Sequence, residues 1–311
     1  MTSRPPGPRV LVTGASSGIG MATAIEFAGE AGRVALLARG TEGLHRAADA
    51  VTEAGGSPLV VPADVTQRGS LAAAIDRTAA DLGGLDVVVV NAGGAAYGAF
   101  SATDPEDFDR TLDVTLRGAV NTVRAALPHL EKTGGALVVV GSVADKIPLP
   151  LMSAYTAAKH GLRGFVDALT LELRSQGSPV SVSLVTPGPV DTPFWDNVAA
   201  QEGRLPPSLP LAYDPVDVAK AVAECARRRR AGMTVGGAMI AARALHSLVT
   251  PLSSFVLSRF GRWARRAGEP GEGQRAIAKP AGRGELRAGL SSRPSLLARG
   301  FAAAGGLLPR R

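Results

Sequence analysis

Cysteine is almost missing from this chain. A single Cys225 in 311 residues excludes an intramolecular disulfide framework and any multi-cysteine metal site, and it suits a reducing compartment. Histidine is nearly as scarce: His45, His129, His160 and His246 are scattered without ligand spacing, so no metal site is expected. Aromatic residues make up 4% of the chain, too few for the basic groove with interleaved stacking rings that grips nucleic acid. No run reaches the roughly 18 uninterrupted apolar residues of a membrane-crossing helix. The opening "MTSRPPGPR" lacks the apolar core of about 7 to 15 residues that a signal peptide needs. A cytoplasmic location is therefore expected.

The formal net charge of +7 is strongly localised. Residues 262–311 hold 11 Lys+Arg against 3 Asp+Glu, a surplus of eight, which leaves the preceding residues at about −1. The body is essentially neutral, and no nucleic-acid partner is expected from it.

What is abundant is short Val/Leu-rich runs: "RVLVTG" (9–14), "RVALLAR" (33–39), "PLVVPADV" (58–65), "LDVVVVNAG" (85–93), "GALVVVGS" (135–142) and "VSVSLVTPG" (180–188). They lack strict apolar/polar alternation, as parallel strands buried on both faces should. Between them, residues 18–32, 41–56, 68–84 and 105–132 carry apolar residues at helical spacing and tend to end in glycine. Strand and helix alternate at βαβ spacing. The pattern predicts an α/β fold, a doubly wound parallel sheet (Rossmann fold) with helices on both faces, as a single domain over 8–240.

Beyond "VTPG" the composition changes. Residues 189–215 are proline-rich with Phe194, Trp195 and Tyr213, and read as a loop with a short helix lying over the strand ends as a substrate lid. A helix from Pro215 to Arg230 follows, then a strand or turn near "MTVGGAMIA" (233–241). Residues 241–266 form an apolar and basic extension that Pro251 should interrupt. The stretch 239–266 is expected to pack on the body or a neighbouring subunit, with peripheral membrane contact or a hydrophobic flap near the substrate as alternatives. Residues 267–311 read as a disordered basic tail.

Two short motifs carry chemistry. "TGASSGIG" (13–20) follows the first strand and opens the first helix. Gly14, Gly18 and Gly20 there permit a tight turn, close approach of a pyrophosphate to the backbone and close helix–strand packing, while the helix N-terminus supplies amide donors. At the end of the second strand stands Arg39, with no carboxylate until Glu42; arginine there suits a ribose 2′-phosphate, hence NADP(H) over NAD(H). Asp64 and Val65 at the third strand's end are placed to meet an adenine ring. The second motif is "SAYTAAKHG" (153–161), in which Tyr155 and Lys159 share one helix face, one turn apart.

Taken together, "TGASSGIG", "ADV" (63–65), "NAG" (Asn91, Ala92, Gly93), Ser142 in "VVVGSVA", "YTAAK" and "TPGPVDTPF" stand in the order and spacing of one family. Over roughly residues 8–240 the chain resembles the short-chain dehydrogenase/reductase superfamily in its compact single-domain form. The resemblance implies an oxidoreductase that moves a hydride between a nicotinamide and a carbonyl or secondary-alcohol substrate. It implies that Ser142 orients the substrate oxygen, Tyr155 acts as general acid/base, and Lys159 holds the nicotinamide ribose and acidifies the phenol. Cofactor contacts carry over to Gly14, Ser16, Ser17, Gly18, Ile19, Gly20, Arg39, Asp64, Val65, Asn91, Ala92, Gly93, Tyr155, Lys159, Pro187, Gly188, Val190 and Thr192. A homodimer or homotetramer is implied as well, and the lid's Phe194, Trp195 and Tyr213 suggest an apolar small-molecule substrate of some size.

A free phenol titrates near 10, and lowering it by about 3 units takes roughly 4 kcal/mol. An ammonium about 4 Å away would contribute roughly that much at an effective dielectric near 20. One departure from the family stands out: "LDVTLRG" places Thr115 where the family commonly has an asparagine that holds a relay water. A hydroxyl lacks the amide's fixed donor–acceptor pair. The alternative function it raises is a catalytically weak NAD(P)-binding sensor or scaffold.

Overall fold

The structure, a computed structural model, describes residues 7–201, 203–206, 212–237, 240–241, 246, 248–267 and 284–288. Its centre is a seven-stranded parallel sheet formed by β1 (Arg9–Thr13), β2 (Arg33–Ala38), β3 (Ser57–Pro62), β4 (Val87–Val90), β6 (Ala136–Val140), β7 (Ser181–Pro187) and β9 (Gly232–Val235), in the order β3-β2-β1-β4-β6-β7-β9. Register is continuous across it: Val12 pairs with Leu36 and with Val89, and Val89 with Val138.

Why the strand sequences do not alternate is visible in the packing. Leu11, Val88, Val90, Leu137 and Val139 point into one core, with α3 (Arg68–Leu82), α5 (Gly118–Thr133) and α6 (Ser153–Ser175) over them. Their neighbours Val10, Val12, Val87, Val89, Ala136 and Val138 point into the other core. That face is covered by α1 (Gly18–Ala28), α2 (Thr41–Glu53) and α7 (Pro215–Arg228). Both strand faces are dry, so both kinds of position are apolar.

The helical segment after β4 has an internal irregularity. α4 (Pro105–Leu112) starts on the Asp104 carboxylate, which accepts from the Glu106 amide at 2.8 Å. It then passes into a π-turn, Asp113–Arg117, before α5. The same Asp-Pro device starts α7, with Asp214 capping the Val216 amide at 2.9 Å.

The segment expected as a lid with a short helix contains instead a strand, β8 (Ala199–Ala200), paired in parallel with β5 (Ala96–Tyr97). Pairing satisfies the backbone of both loops and ties the lid to the chain leaving β4. The final described helix, α8 (Thr250–Ala267), holds Pro251 in its first turn, where a missing N–H costs nothing, so the proline opens the helix rather than interrupting it. No helix among the described residues is long and apolar enough to cross a membrane. Most of the stretch 267–311 lies outside the described residues; the part that is described, 284–288, lies against the body.

Candidate active site

The C-terminal ends of the sheet strands open onto one cleft of about 450 Å³, within the size range of small-molecule sites. It begins where β1 and β4 part and their connections leave to opposite sides of the sheet. Thr13 fastens this point: its hydroxyl accepts from the amides of Asn91 (2.9 Å) and Ala92 (3.2 Å). The Asn91 side chain donates to the carbonyls of Thr13 (3.0 Å) and Gly14 (3.3 Å). Asn91 lines the cleft but spends its amide on holding the glycine turn.

The turn has room for hydrogen only. Gly14 has φ +67°, and a Cβ there would stand 2.9 Å from Ala92 Cα; Gly18 has φ +53°, and its Cβ would meet Thr192 Cβ at 3.0 Å. Ser16, Ser17, Gly18 and Ile19 line the cleft at the start of α1, with Gly20 buried behind them. First-turn amides of a helix lack intrahelical partners and carry the positive end of its dipole. A tight backbone cradle at such an end fits phosphate groups.

Arg39 and Asp64 stand at the ends of β2 and β3, with Nη1 and Oδ2 4.0 Å apart. Burial pushes the Arg39 guanidinium below its ordinary pKa, with Asp64 opposing. The other Asp64 oxygen accepts from the Thr66 amide and hydroxyl, both at 2.8 Å. Val65, Ala92, Gly93, Pro187, Gly188, Val190 and Thr192 complete this half of the lining.

Ser142, Tyr155 and Lys159 converge on the same cleft from the end of β6 and the first turns of α6. The Ser142 hydroxyl accepts from the Ala144 amide at 3.1 Å. Burial pushes the Tyr155 phenol up to about 12; Ser142 acts the other way, and the negative charge of Asp145 adds to the rise. Lys159 stands over the Tyr155 ring. Its Nζ donates to the Val140 carbonyl at 2.9 Å and stands 5.7 Å from the Tyr155 ring centre. Burial lowers Lys159 to about 8, with Asp145 opposing. Burial is thus the first influence on both groups, raising the phenol and lowering the amine.

Asp145 escaped the sequence reading. It is buried, and its Oδ2 accepts from Arg163 (3.1 Å) on α6 and from the Thr186 hydroxyl (3.0 Å) on β7. It thereby joins α6, β7 and the turn that carries Ser142. The available signal was a carboxylate three residues after Ser142, just past the end of a buried strand.

Thr115 lies on the π-turn directly behind the cleft wall, next to the lining residues Gly93, Gly94 and Val114. Its hydroxyl donates to the Gly94 carbonyl (2.9 Å) and accepts from the Gly94 amide (3.0 Å). The donor that a relay would need is engaged in pinning the loop after β4. A π-turn at this place is a feature that helical periodicity cannot reveal.

The other half of the cleft is apolar. Phe194 packs on Tyr155 with ring centres 5.5 Å apart, and Trp195 stands edge-on to Phe194 at 5.3 Å while its indole N–H donates to the Val190 carbonyl at 3.0 Å. Tyr213 is buried, its backbone bonded to Pro189, and stands outside the lining. Leu257, Phe260 and Ala264 of α8 close this side. Packing on the body and a flap near the cleft are both among the placements expected of this stretch from its sequence.

Residues 284–288 cross the entrance to α1. The Gly18 amide donates to the Glu285 carbonyl at 2.9 Å, the Ala288 amide to Asp191 at 3.2 Å, and Arg287 pairs with Asp214 at 2.6 Å, while Leu286 packs on the core below.

With this geometry in view, residues 8–203 match the family of short chain dehydrogenases. Over 264 residues the chain is 30% identical to an uncharacterized oxidoreductase, YxnA, of Bacillus subtilis, covering 84% of this chain and 74% of that one. Among solved structures, a short chain dehydrogenase/reductase from Burkholderia phymatum in complex with NAD is similar at TM-score 0.71 and 25% identity, over 80% of this chain and 96% of that one. An alcohol dehydrogenase from Thermococcus sibiricus complexed with 5-hydroxy-NADP is similar at TM-score 0.65 and 27% identity, over 73% and 95%.

Proposed function

This chain belongs to the short-chain dehydrogenase/reductase family of oxidoreductases, and from that premise we propose that it reduces an apolar ketone or aldehyde, or oxidises the matching alcohol, with NADP(H). The observation that carries the reading is the convergence of Ser142, Tyr155 and Lys159 on a cleft whose far end is the glycine cradle and Arg39. The bound nicotinamide supplies the hydride in reduction and receives it in oxidation. Everything else falls to side chains of this protein.

In reduction, the substrate oxygen lies against the Ser142 hydroxyl and the Tyr155 phenol. As the carbonyl carbon gains a hydride, the phenol gives its proton to the oxygen, and a neutral alcohol results. A phenol held near 12 is stable as a donor until charge develops on the oxygen, which is when a general acid is useful. Lys159, with its charge 5.7 Å from the ring, lowers the cost of the phenolate left behind. Asp145 keeps α6 and the Ser142 turn in register through Arg163 and Thr186.

The preference for NADP(H) rests on Arg39, a cation in the cleft at the end of β2, since a guanidinium binds a phosphate monoester by charge-assisted hydrogen bonds. The solved relatives include one with NAD and one with an NADP derivative, so the choice belongs to this chain's own residues. The apolar walls from Phe194, Trp195 and α8 support a hydrophobic substrate. A homodimer or homotetramer is part of the same proposal.

Steady-state kinetics with NADPH and NADH over a panel of ketones tests this. NADPH is expected to be preferred by about tenfold or more, and Arg39→Glu to reverse the preference. Tyr155→Phe should lower kcat by about 10²- to 10⁴-fold with NADPH binding retained. Tight NADPH binding without turnover, unchanged in Tyr155→Phe, would overturn the catalytic reading.

A further inference from the structure

The inner and outer faces of α8 differ sharply. Inward, Leu257, Gly261 and Ala264 recur at helical spacing; Gly261 lies against Pro150, and Leu257 and Ala264 line the cleft. Outward, Phe255 is 59% exposed, Val256 57%, Phe260 39% and Trp263 47%. The apolar exposure continues toward the helix start with Leu248 and Val249. Single exposed apolar residues need no explanation, but a contiguous strip beside a functional cleft marks an interaction surface.

Charge narrows the choice of partner. α8 contains Arg259, Arg262, Arg265 and Arg266 and no Asp or Glu. Among the described residues none of these four is ion-paired with a carboxylate. The Arg259 guanidinium lies 5.9 Å from the Phe255 ring centre, and the Phe260 and Trp263 rings stack at 5.3 Å. Arginine interleaved with aromatic rings on one helix face suits the boundary between anionic headgroups and acyl chains, where the rings enter and the guanidinium groups stay with phosphate. A second copy of the chain fits less well. Two-fold pairing would set this face on itself and bring like charges together.

We propose that α8 docks the protein on an anionic membrane surface, with Phe255, Phe260 and Trp263 inserted among the lipids and Arg259 and Arg262 on their headgroups. Phe260 belongs to both the exposed strip and the cleft lining, so docking sets the mouth of the cleft against the bilayer. The consequence, which rests on the proposed reductase activity, is that the substrate is a carbonyl compound that partitions into lipid and enters from that side.

Co-sedimentation of the full chain tests the docking without reference to catalysis, using vesicles of phosphatidylcholine alone and with about a third phosphatidylserine. Binding is expected to the anionic vesicles only and to weaken with salt. Phe255→Ser/Trp263→Ser and Arg259→Glu/Arg262→Glu should each lower the partition coefficient by about tenfold or more. Turnover of a water-soluble ketone should stay unchanged in both double variants, which shows that they are folded. Absence of vesicle binding, or binding equal in the variants, would overturn the proposal. So would concentration-dependent self-association that the Phe255/Trp263 variant abolishes without any vesicle binding. If the parent protein turns over no ketone yet sediments as expected, the docking stands and the reductase reading falls.

Discussion

The two halves of the cleft are built by different means. The half that receives the dinucleotide is made of strand ends and backbone: Gly14, Asn91 and Thr13 lock one another through main-chain contacts, with almost no tolerance for added atoms. The other half is made of side chains from a proline-rich loop and a helix: Phe194 packs on Tyr155 and Trp195, and Leu257 and Phe260 line the same side. Under the proposed function, hydride chemistry and substrate choice are separable. The first depends on geometry that the sheet enforces, the second on surfaces that can be exchanged with little effect on the sheet.

The sharpest way to break this comparison is Gly14→Val. Strain at positive φ adds to a Cβ 2.9 Å from Ala92, so dinucleotide affinity in a fluorescence titration should fall by about 10- to 100-fold for every substrate alike. An unchanged affinity would mean that the cradle is softer than its contacts indicate.

The pH profile probes the floor that the halves share. Lys159 is lowered to about 8 by burial, so it is a cation below that pH and loses its proton as pH rises through it. kcat/KM for ketone reduction should therefore fall above pH about 8, and Lys159→Arg should move that limb upward. A limb that stays in place in the arginine variant would assign it to another group. Stability runs in the opposite sense. Between about 8 and the unfolded amine's value the unfolded chain holds the extra proton, so stability rises with pH across that window.

The smallest effect is expected at the substrate half. Phe194→Ala should raise KM for a bulky apolar ketone by about 5- to 50-fold while leaving NADPH affinity and the pH limb in place. Should cofactor affinity fall equally, the two halves are one unit.

Much of the scaffold was legible because it rests on local rules. Buried parallel strands demand continuous apolar runs, and the runs at 9–14, 33–39 and 135–142 sit on β1, β2 and β6. The helical spacing of Tyr155 and Lys159 put both on one face, and both reach the cleft. The π-turn, by contrast, arises inside an uninterrupted helical pattern, and β8 exists only because β5 is there to pair with it. Asp145 went unread in the sequence, because only the assembled fold buries it between α6 and β7. Its two partners lie 18 and 41 residues away.

By itself, then, the sequence determined the alternation of strand and helix, the glycine turn and the chemical identity of the groups at the strand ends, because each depends on neighbours within a few residues. Only the tertiary structure decided their state. Desolvation raises the Tyr155 phenol and lowers the Lys159 amine, and the Thr115 hydroxyl is bonded to Gly94. The α8 helix closes the cleft with one face and leaves the other to solvent. Burial and hydrogen-bond partners are properties of the assembled fold, and it is these that set a side chain's proton affinity and reach.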